Sequence, residues 1–311
     1  MKSPKQTIVK LISLFGMLMI GSISLAQSQS NLAATCNQLS NLELAETTIS
    51  STEVVAANTF TPPNSNNTMS LPAFCRVVGV TSPAVNFEVW MPLQNWNRKY
   101  NGVGNGGMAG ALRRGYATAS TDTGHTVSPV PFDASWASGR PDLIEDFGHR
   151  ALHVTTVNGK AITEAFYSDA PAYSYYTGCS KGGQMGLMEA QRYPYDFDGI
   201  VAGDPANDWT RFYAGSHLWY SLAMLEDESA WIPRSKLPAL GNAVNAACDA
   251  LDGIEDGILQ NPLACNFQPA ALTCPEGVDN DSCLTPKQVT SVEKIWSGVT
   301  NSSGELIYPG L

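Results

Sequence analysis

The chain has 311 residues, with 18 basic and 28 acidic side chains and a net charge of −10 at neutral pH. An acidic surface argues against nucleic acid or an anionic membrane as a partner, because like charges repel. It suits an extracellular or periplasmic protein that acts on neutral molecules or binds a cation.

Residues 1–26 have the pattern of a secretory signal peptide. Three lysines in the first ten residues precede an apolar run at residues 11–25, and the small residues Ser24 and Ala26 stand at its end. That run is shorter than the roughly 18 apolar residues a membrane span requires, and no later segment approaches that length. Cleavage after Ala26 would leave 285 residues with a net charge of −13. We expect a secreted or periplasmic protein that does not contact the membrane after cleavage.

Residues 27–207 show strands that alternate with helices. A helical period appears at 145–167, where Phe147, Ala151, Val154, Val157 and Ile162 would form the apolar face, and a second helix is indicated at 184–190. This alternation predicts a parallel-rich α/β sheet. Short strands, bounded by turn residues, are predicted at 52–57, 74–80, 86–91, 99–103, 116–121, 172–176 and 199–203.

Beyond residue 207 the alternation of strands and helices stops. Residues 208–228 have a helical and aromatic pattern, and the remainder is rich in loops and contains four cysteines. We interpret residues 208–311 as the beginning of a lid domain inserted after the central strands.

The segment Gly178-Cys179-Ser180-Lys181-Gly182 has the pattern G-x-S-x-G, between a predicted strand and a predicted helix. This context is typical of a nucleophile elbow, in which glycines let the chain bend sharply around the serine. Such a turn also directs backbone N–H groups and a helix N-terminus toward the place where an oxyanion would form. Ser180 is therefore the candidate nucleophile of an acyl-transfer reaction, and a chance glycine-rich turn is the alternative.

A serine nucleophile needs a histidine that takes its proton and a carboxylate that orients the histidine. In this type of fold the order along the chain is serine, acid, histidine. Of the four histidines only His217 follows Ser180, and it follows too closely to reach the far edge of a parallel sheet. We expect the base to be missing from these 311 residues. A complete hydrolase that uses His217, with Asp204 or Asp208 as orienter, is the alternative.

Seven cysteines in a secreted chain indicate disulfides with one cysteine left over. The left-over residue is Cys179, directly beside the candidate nucleophile. Its partner would be a cysteine beyond the chain end, or else Cys179 is a buried free thiol. Short loops favour the pairs Cys248 with Cys265 and Cys274 with Cys283. The third pair, Cys36 with Cys75, would tie down the N-terminus of the mature chain.

Residues 104–107 read Gly-Asn-Gly-Gly and do not fit a phosphate loop, because no Lys-Ser or Lys-Thr follows. They fit an oxyanion loop better. One donor would be the backbone N–H of Lys181, and the second that of Gly106 or Gly107. A plain tight turn is the alternative.

Residues 248–259 contain three aspartates spaced at i, i+3 and i+7 and two glycines that argue against a continuous helix. A loop that folds around a hard cation would relieve the repulsion between the carboxylates. Calcium accepts about six to eight oxygen ligands in flexible geometry, so we predict a structural Ca²⁺ site, with a solvated acidic loop as the alternative. The predicted ligands are the carboxylates of Asp249, Asp252 and Asp256 and the carbonyls of Ile254 and Ile258.

Taken together, several of these motifs resemble the tannase and feruloyl esterase family. The most specific is Gly-Cys-Ser-x-Gly-Gly at residues 178–183, and the resemblance extends from about Cys36 to the end of the chain. The supporting stretches are residues 104–107, 120–125, 146–151, 175–183, 189–194 and 196–200.

The resemblance implies an α/β-hydrolase fold, here incomplete, with a large calcium-binding lid. It implies hydrolysis of small esters of aromatic hydroxy acids, of feruloyl or galloyl type, or of plant polyphenol or polysaccharide esters. In this family a disulfide joins the cysteine beside the serine to a cysteine beside the histidine, and the acid and this His-Cys pair lie well beyond position 311. The chain thus resembles the family's N-terminal portion and is expected to be inactive alone. A non-catalytic, calcium-stabilised secreted binding protein is the competing interpretation.

Overall fold

The structure is a computed structural model that describes residues 31–63, 65–104, 107–125 and 133–310. The predicted signal peptide and Gly106 lie outside the described residues. The chain divides into two compact units, Met1–Ala206 and Asn207–Leu311. This division falls one residue before the predicted start of the second domain, and the role of that domain as a lid stays a prediction.

A seven-stranded sheet forms the centre of the first unit. The strands are β1 (Thr47–Val55), β2 (Phe74–Thr81), β3 (Val85–Pro92), β4 (Lys99–Val103), β5 (Ala117–Thr121), β6 (Tyr173–Cys179) and β7 (Gly199–Gly203). Their spatial order is β1-β2-β3-β5-β4-β6-β7. β1, β2, β3 and β5 pair antiparallel in that order, whereas β5, β4, β6 and β7 run parallel. The predicted parallel-rich sheet is therefore confirmed for the four strands around Ser180, whereas the N-terminal strands pair antiparallel.

Helices connect the parallel strands of this sheet. A helical segment at 31–38 precedes the sheet, and a π-helical turn at Asp146–Arg150 interrupts the long helix predicted at 145–167. Such π turns are frequent at functional sites. The helices of the first unit are α1 (Met108–Arg113), α2 (Pro141–Glu145), α3 (Ala151–Tyr167) and α4 (Lys181–Arg192).

The buried face of α3 differs from the predicted apolar face. Val157 is 49% exposed, although its spacing placed it toward the core. The helix instead buries several small polar residues, of which Thr156 and Asn158 form hydrogen bonds. The Thr156 hydroxyl donates to the Leu152 carbonyl at 2.9 Å, and the Asn158 amide donates to the Thr81 hydroxyl at 3.0 Å. The prediction is confirmed for Ala151 and Ile162, which are fully buried, and it is wrong for Val157, because it counted apolar residues only.

The core of the first unit is built mainly from aromatic and aliphatic side chains that the sheet brings together. The Cys36–Cys75 disulfide belongs to this cluster, and both of its cysteines are fully buried. The other two predicted disulfides, Cys248–Cys265 and Cys274–Cys283, are also confirmed. Cys179 is free and exposed. The largest buried side chains of the core include Tyr100, Tyr176, Phe87, Phe166 and Met91.

The second unit is mainly helical, with loops between the helices. A small apolar core, including Ile232, Leu284, Val289 and Val292, holds it together. Within the residues that the structure describes, no helix is long and apolar enough to cross a bilayer. The elements are a π-helical segment (Thr210–His217), α5 (Leu218–Leu225), α6 (Leu237–Cys248), α7 (Pro286–Ser297) and the short strands β8 (Val299–Thr300) and β9 (Leu306–Tyr308).

Candidate active site

Ser180 lies between the end of β6 and the first residue of α4, in the position of a nucleophile elbow. Its backbone has φ 58° and ψ −118°. A residue with a Cβ rarely adopts a positive φ, and such strain persists only where the surrounding structure enforces it. The strand, turn and helix predicted around the serine are all present.

Three glycines around Ser180 are required by close backbone contacts. A Cβ on Gly178 would lie 2.5 Å from the carbonyl oxygen of Gly182, and one on Gly183 would lie 2.3 Å from that of Gly203. A Cβ on Gly182 would lie 3.0 Å from the carbonyl oxygen of Gly104. The first turn of α4 therefore packs directly against the ends of two other strands, and only glycine fits there.

Backbone hydrogen bonds fix the turn itself. The Ser180 N–H donates to the Gly203 carbonyl at 3.0 Å, and the Ser180 carbonyl accepts from Gln184 at 3.0 Å and from Ala206 at 3.2 Å. A serine that precedes a helix usually caps it through its hydroxyl, but the Ser180 side chain makes no such bond here. Because the residue is also exposed, its hydroxyl is accessible to a substrate.

The glycine loop begins beside the elbow. β4 and β6 are neighbours, and the Gly104 N–H at the end of β4 donates to the Thr177 carbonyl of β6 at 3.0 Å. Gly107 has φ 100° and precedes α1, while Lys181 is the first residue of α4. The chain leaves β4 toward β5 and later crosses back to β6, and ligands of open α/β sheets bind at such switch points. The two predicted oxyanion donors thus belong to adjacent segments.

The side chain of Lys181 ties the elbow to the π-helical turn. Its Nζ lies 3.9 Å from the centroid of the Phe147 ring and donates to Gln184 Oε1 at 2.6 Å. Burial lowers the pKa of Lys181 to about 8. From the sequence, only the backbone of Lys181 is expected to take part in the site. No sequence pattern indicated the contact with Phe147, which joins residues 34 positions apart.

The three histidines of the first unit all contact other side chains. The His125 ring stacks on Trp136 with centroids 4.5 Å apart. His149 Nδ1 lies 2.8 Å from the Tyr193 hydroxyl, and burial is the main cause that lowers the pKa of His149. The third, His153, is bonded to a carboxylate, which is described below. None of them lies after the serine in the order that a hydrolase triad requires.

His217 lies in the second unit, within the π-helical segment. Its Nδ1 is 3.1 Å from Ser216 Oγ and 3.3 Å from the Phe212 carbonyl oxygen. A catalytic histidine instead presents Nδ1–H to an orienting carboxylate. Among the described residues His217 forms no ion pair, and the Asp208 carboxylate lies 3.6 Å from Arg211 Nε. These contacts give no support to a base at His217 with Asp208 as its orienter.

The acidic loop of the second unit is closed by its own hydrogen bonds. Both carboxylate oxygens of Asp249 accept from the Gly257 N–H, at 3.0 and 2.9 Å. Asp252 and Asp256 each accept from the N–H two residues further on, at 3.0 Å. Carboxylate oxygens are hard ligands of the kind that calcium prefers, and the turn at Gly253 (φ 93°) brings these carboxylates into one loop. Within the described ranges, however, no three His, Cys, Asp or Glu side chains are gathered closely enough to hold a metal ion.

Comparison with known families identifies the class of protein. The family model "Tannase and feruloyl esterase" matches residues 68–311. The chain therefore belongs to the tannase and feruloyl esterase family, as the elbow motif and the glycine loop predicted.

Curated relatives agree with this assignment. An uncharacterised esterase of Xanthomonas campestris pv. campestris is 43% identical over 305 residues, which cover 94% of this chain and 52% of the relative. A probable feruloyl esterase B-2 of Aspergillus flavus is 37% identical over 238 residues, 73% of this chain and 44% of that protein. The chain thus spans about half the length of the curated relatives it matches.

Solved structures show the same fold. Feruloyl esterase B from Aspergillus oryzae superposes with a TM-score of 0.76 at 29% identity, over 90% of this chain and 59% of that one. The tannin acyl hydrolase of Aspergillus niger, at 22% identity, superposes with a TM-score of 0.61 over 90% of this chain and 56% of that one. The predicted α/β-hydrolase fold is therefore confirmed.

Proposed function

We propose that this chain carries the nucleophile of a serine carboxylic ester hydrolase, and that the nucleophile is Ser180. The observation that carries this proposal is the strained backbone of Ser180 between a parallel strand and a helix. The residue is exposed, and its hydroxyl does not cap the helix. Strain of this kind costs free energy and is retained where function requires it. Membership of a family named for its esterases supports the same reaction class.

In the proposed reaction, Ser180 Oγ attacks the ester carbonyl while a histidine base takes the hydroxyl proton. The backbone N–H groups of Lys181 and of Gly106 or Gly107 stabilise the tetrahedral oxyanion. The ester C–O bond breaks, and the alcohol leaves with the proton from the histidine. Water, deprotonated by the same base, then cleaves the acyl-enzyme and releases the acid. We propose that the base and its orienting aspartate lie outside these 311 residues and that the chain alone is inactive.

The proposed substrates are esters of aromatic hydroxy acids of feruloyl or galloyl type, including plant polyphenol and polysaccharide esters. The support comes from the relatives, since the similar proteins bear the names feruloyl esterase and tannin acyl hydrolase. A secreted or periplasmic location is part of the same proposal, and it rests on the leader pattern in residues 1–26.

We also propose that the acidic loop holds a structural Ca²⁺. Asp249, Asp252 and Asp256 would bind it with the carbonyls of Ile254 and Ile258. A bound Ca²⁺ would offset two of the three negative charges of these carboxylates, which form no ion pair among the described residues. Their bonds to backbone N–H groups support the proposal, because they hold the loop closed and each carboxylate oxygen keeps a second lone pair.

The test is hydrolysis of methyl ferulate, methyl gallate and a short nitrophenyl ester. Two proteins are compared: the 311-residue chain, and the same chain continued by the C-terminal half of the Xanthomonas relative. We expect hydrolysis by the second protein, its loss in Ser180→Ala, and unchanged activity in the matched control Ser138→Ala. If the second protein hydrolyses these esters no faster than its Ser180→Ala variant, the proposal is wrong. Calcium-dependent melting without labelling of Ser180 by a fluorophosphonate would favour the binding protein instead.

A further inference from the structure

A buried carboxyl group lies on the helix that begins at Ser180. Glu189 is only 1% exposed, and within the described residues its Oε2 has no hydrogen-bond partner. Glu189 follows Met185 by four positions and Gly182 by seven, so it shares their face of α4. That face packs against the sheet, because Gly186, between them, lies against the Tyr176 ring. Glu189 is thus the one carboxyl on the packed face of the nucleophile helix.

A second carboxyl group lies next to Glu189. Asp196 lies in the turn after α4, in which the Tyr193 N–H donates to the Glu189 carbonyl at 2.8 Å and the Asp196 N–H donates to the Tyr193 carbonyl at 3.0 Å. The charge of Asp196 acts on the Glu189 carboxyl. Asp196 is in turn held by α3: His153 Nδ1 lies 2.6 Å from its Oδ2, and the Lys160 ammonium donates to its backbone carbonyl. The Tyr193 ring stacks on His153 with centroids 3.9 Å apart. These contacts connect the end of α4 with the middle of α3.

Two adjacent carboxylates cannot both be charged in a buried site at low cost. The proton belongs on the more deeply buried one, because desolvation penalises its charge most. Burial is the main cause that raises the pKa of Glu189, to about 9, and the nearby Asp196 adds to it. A protonated carboxyl has an O–H group that can donate a hydrogen bond, so protonation allows the unpartnered oxygen of Glu189 to form one.

We propose that Glu189 is protonated at neutral pH and that its hydrogen bond to Asp196 fastens the nucleophile helix to α3. Glu189 is then a positioning residue for Ser180, since it acts through the helix and touches no reacting atom. The inference is independent of the esterase proposal, because it concerns the seating of the helix and not its chemistry.

Loss of this proton places a second negative charge beside Asp196 and weakens the attachment. The folded-state pKa of Glu189 lies above the unfolded value of about 4.3. Its contribution to stability is therefore full below that value and is lost as pH rises toward about 9. The titratable groups that interact with Glu189 are Lys160 of α3, Tyr100 of β4, Tyr176 of β6, and Tyr193 and Asp196 after α4. His153 contacts Asp196, and Asp198 interacts with Lys160.

The first measurement is the melting temperature of the 311-residue chain between pH 5 and pH 9. Glu189→Gln keeps the shape of the side chain and can still donate to Asp196, and Glu164→Gln is the matched control, since Glu164 is exposed on α3. We expect the wild type and the control to lose roughly 3 °C more per pH unit than Glu189→Gln. Equal slopes in all three proteins would overturn the proposal.

The second measurement reports on the helix itself. Amide hydrogen exchange of residues 181–192, corrected for the intrinsic effect of pH, should lose protection between pH 6 and pH 9 in the wild type but not in Glu189→Gln. A carboxylic-acid infrared band should be present at pH 7 in the wild type and absent in Glu189→Gln. In Asp196→Asn, which removes the neighbouring charge, that band should disappear at a lower pH. An unchanged band in Glu189→Gln, or protection independent of pH in the wild type, would contradict the proposal.

Discussion

The elbow around Ser180 and the acidic loop at 249–258 are both short turns rich in glycine, yet different forces hold them. The elbow is enclosed: backbone from β4, β6 and β7 approaches within contact distance of the first turn of α4. The acidic loop is exposed, and its carboxylates bind N–H groups of the same loop inside the Cys248–Cys265 disulfide. A glycine-rich turn can thus be imposed by its neighbours or closed by its own bonds. The two kinds should respond to different perturbations.

The largest effect is expected from removal of the disulfide that encloses the acidic loop. Cys248 and Cys265 are 17 residues apart, so their link limits the unfolded chain strongly. Replacing both by alanine should lower the free energy of unfolding of the second unit by about 3 kcal/mol. Urea unfolding with Cys179→Ala as control measures this, since Cys179 is unpaired. A loss no larger than in the control would show that hydrogen bonds alone close the loop.

The elbow should be sensitive to a single methyl group. In Gly183→Ala the new Cβ meets the Gly203 carbonyl oxygen at 2.3 Å, and backbone atoms cannot easily move away. We expect a loss of about 2 kcal/mol in stability. Gly110→Ala is the matched control, because a Cβ there meets nothing within 4 Å and alanine favours the helix. If both variants melt alike, the elbow is less tightly enclosed than these contacts indicate.

A change that releases strain at the elbow should stabilise the protein. Ser180 adopts a backbone conformation that glycine reaches at lower cost. Ser180→Gly should therefore raise the free energy of unfolding by about 1 kcal/mol while it removes the nucleophile. Chemical denaturation, compared with Ser138→Gly at an exposed site, gives the answer. Destabilisation by Ser180→Gly would argue that the serine side chain contributes to the fold.

The smallest effect is expected in the acidic loop without calcium. Asp252→Asn keeps an oxygen that can accept the N–H of Ile254, so stability should change by less than about 0.5 kcal/mol. In millimolar calcium the wild type should melt at a higher temperature, and the variant should gain less. Differential scanning fluorimetry with and without a chelator measures both. If calcium does not change the melting temperature of the wild type, the segment is a solvated acidic loop and not a calcium site.

Sequence reasoning succeeded where local pattern and backbone geometry coincide. The bounds of β4 and β7 were predicted to the residue, because Asn, Asp or Gly turn residues stand close to both ends of each short segment. The three disulfides and the glycines of the elbow were also predicted. The glycines of the elbow are set by neighbouring residues, and two of the disulfides by the short loops between their cysteines.

The rest depended on contacts between distant segments. The polar buried face of α3 was missed because Thr156 and Asn158 are satisfied by partners that a periodicity count ignores. The proposed pairing of Glu189 with Asp196 could not be read from the sequence, because it depends on how α3 packs against α4. His153, which contacts Asp196, lies 43 positions before it in the chain. No spacing rule reports which carboxyl of a buried pair keeps the proton.

Whether Ser180 is the nucleophile can be measured from the site of covalent labelling. The 311-residue protein is incubated with a fluorophosphonate, with imidazole added as a substitute base, and the modified residue is located by tandem mass spectrometry. We expect a single adduct on Ser180 that depends on imidazole and is absent from Ser180→Ala. An adduct on another serine, or equal labelling of Ser180→Ala, would contradict it.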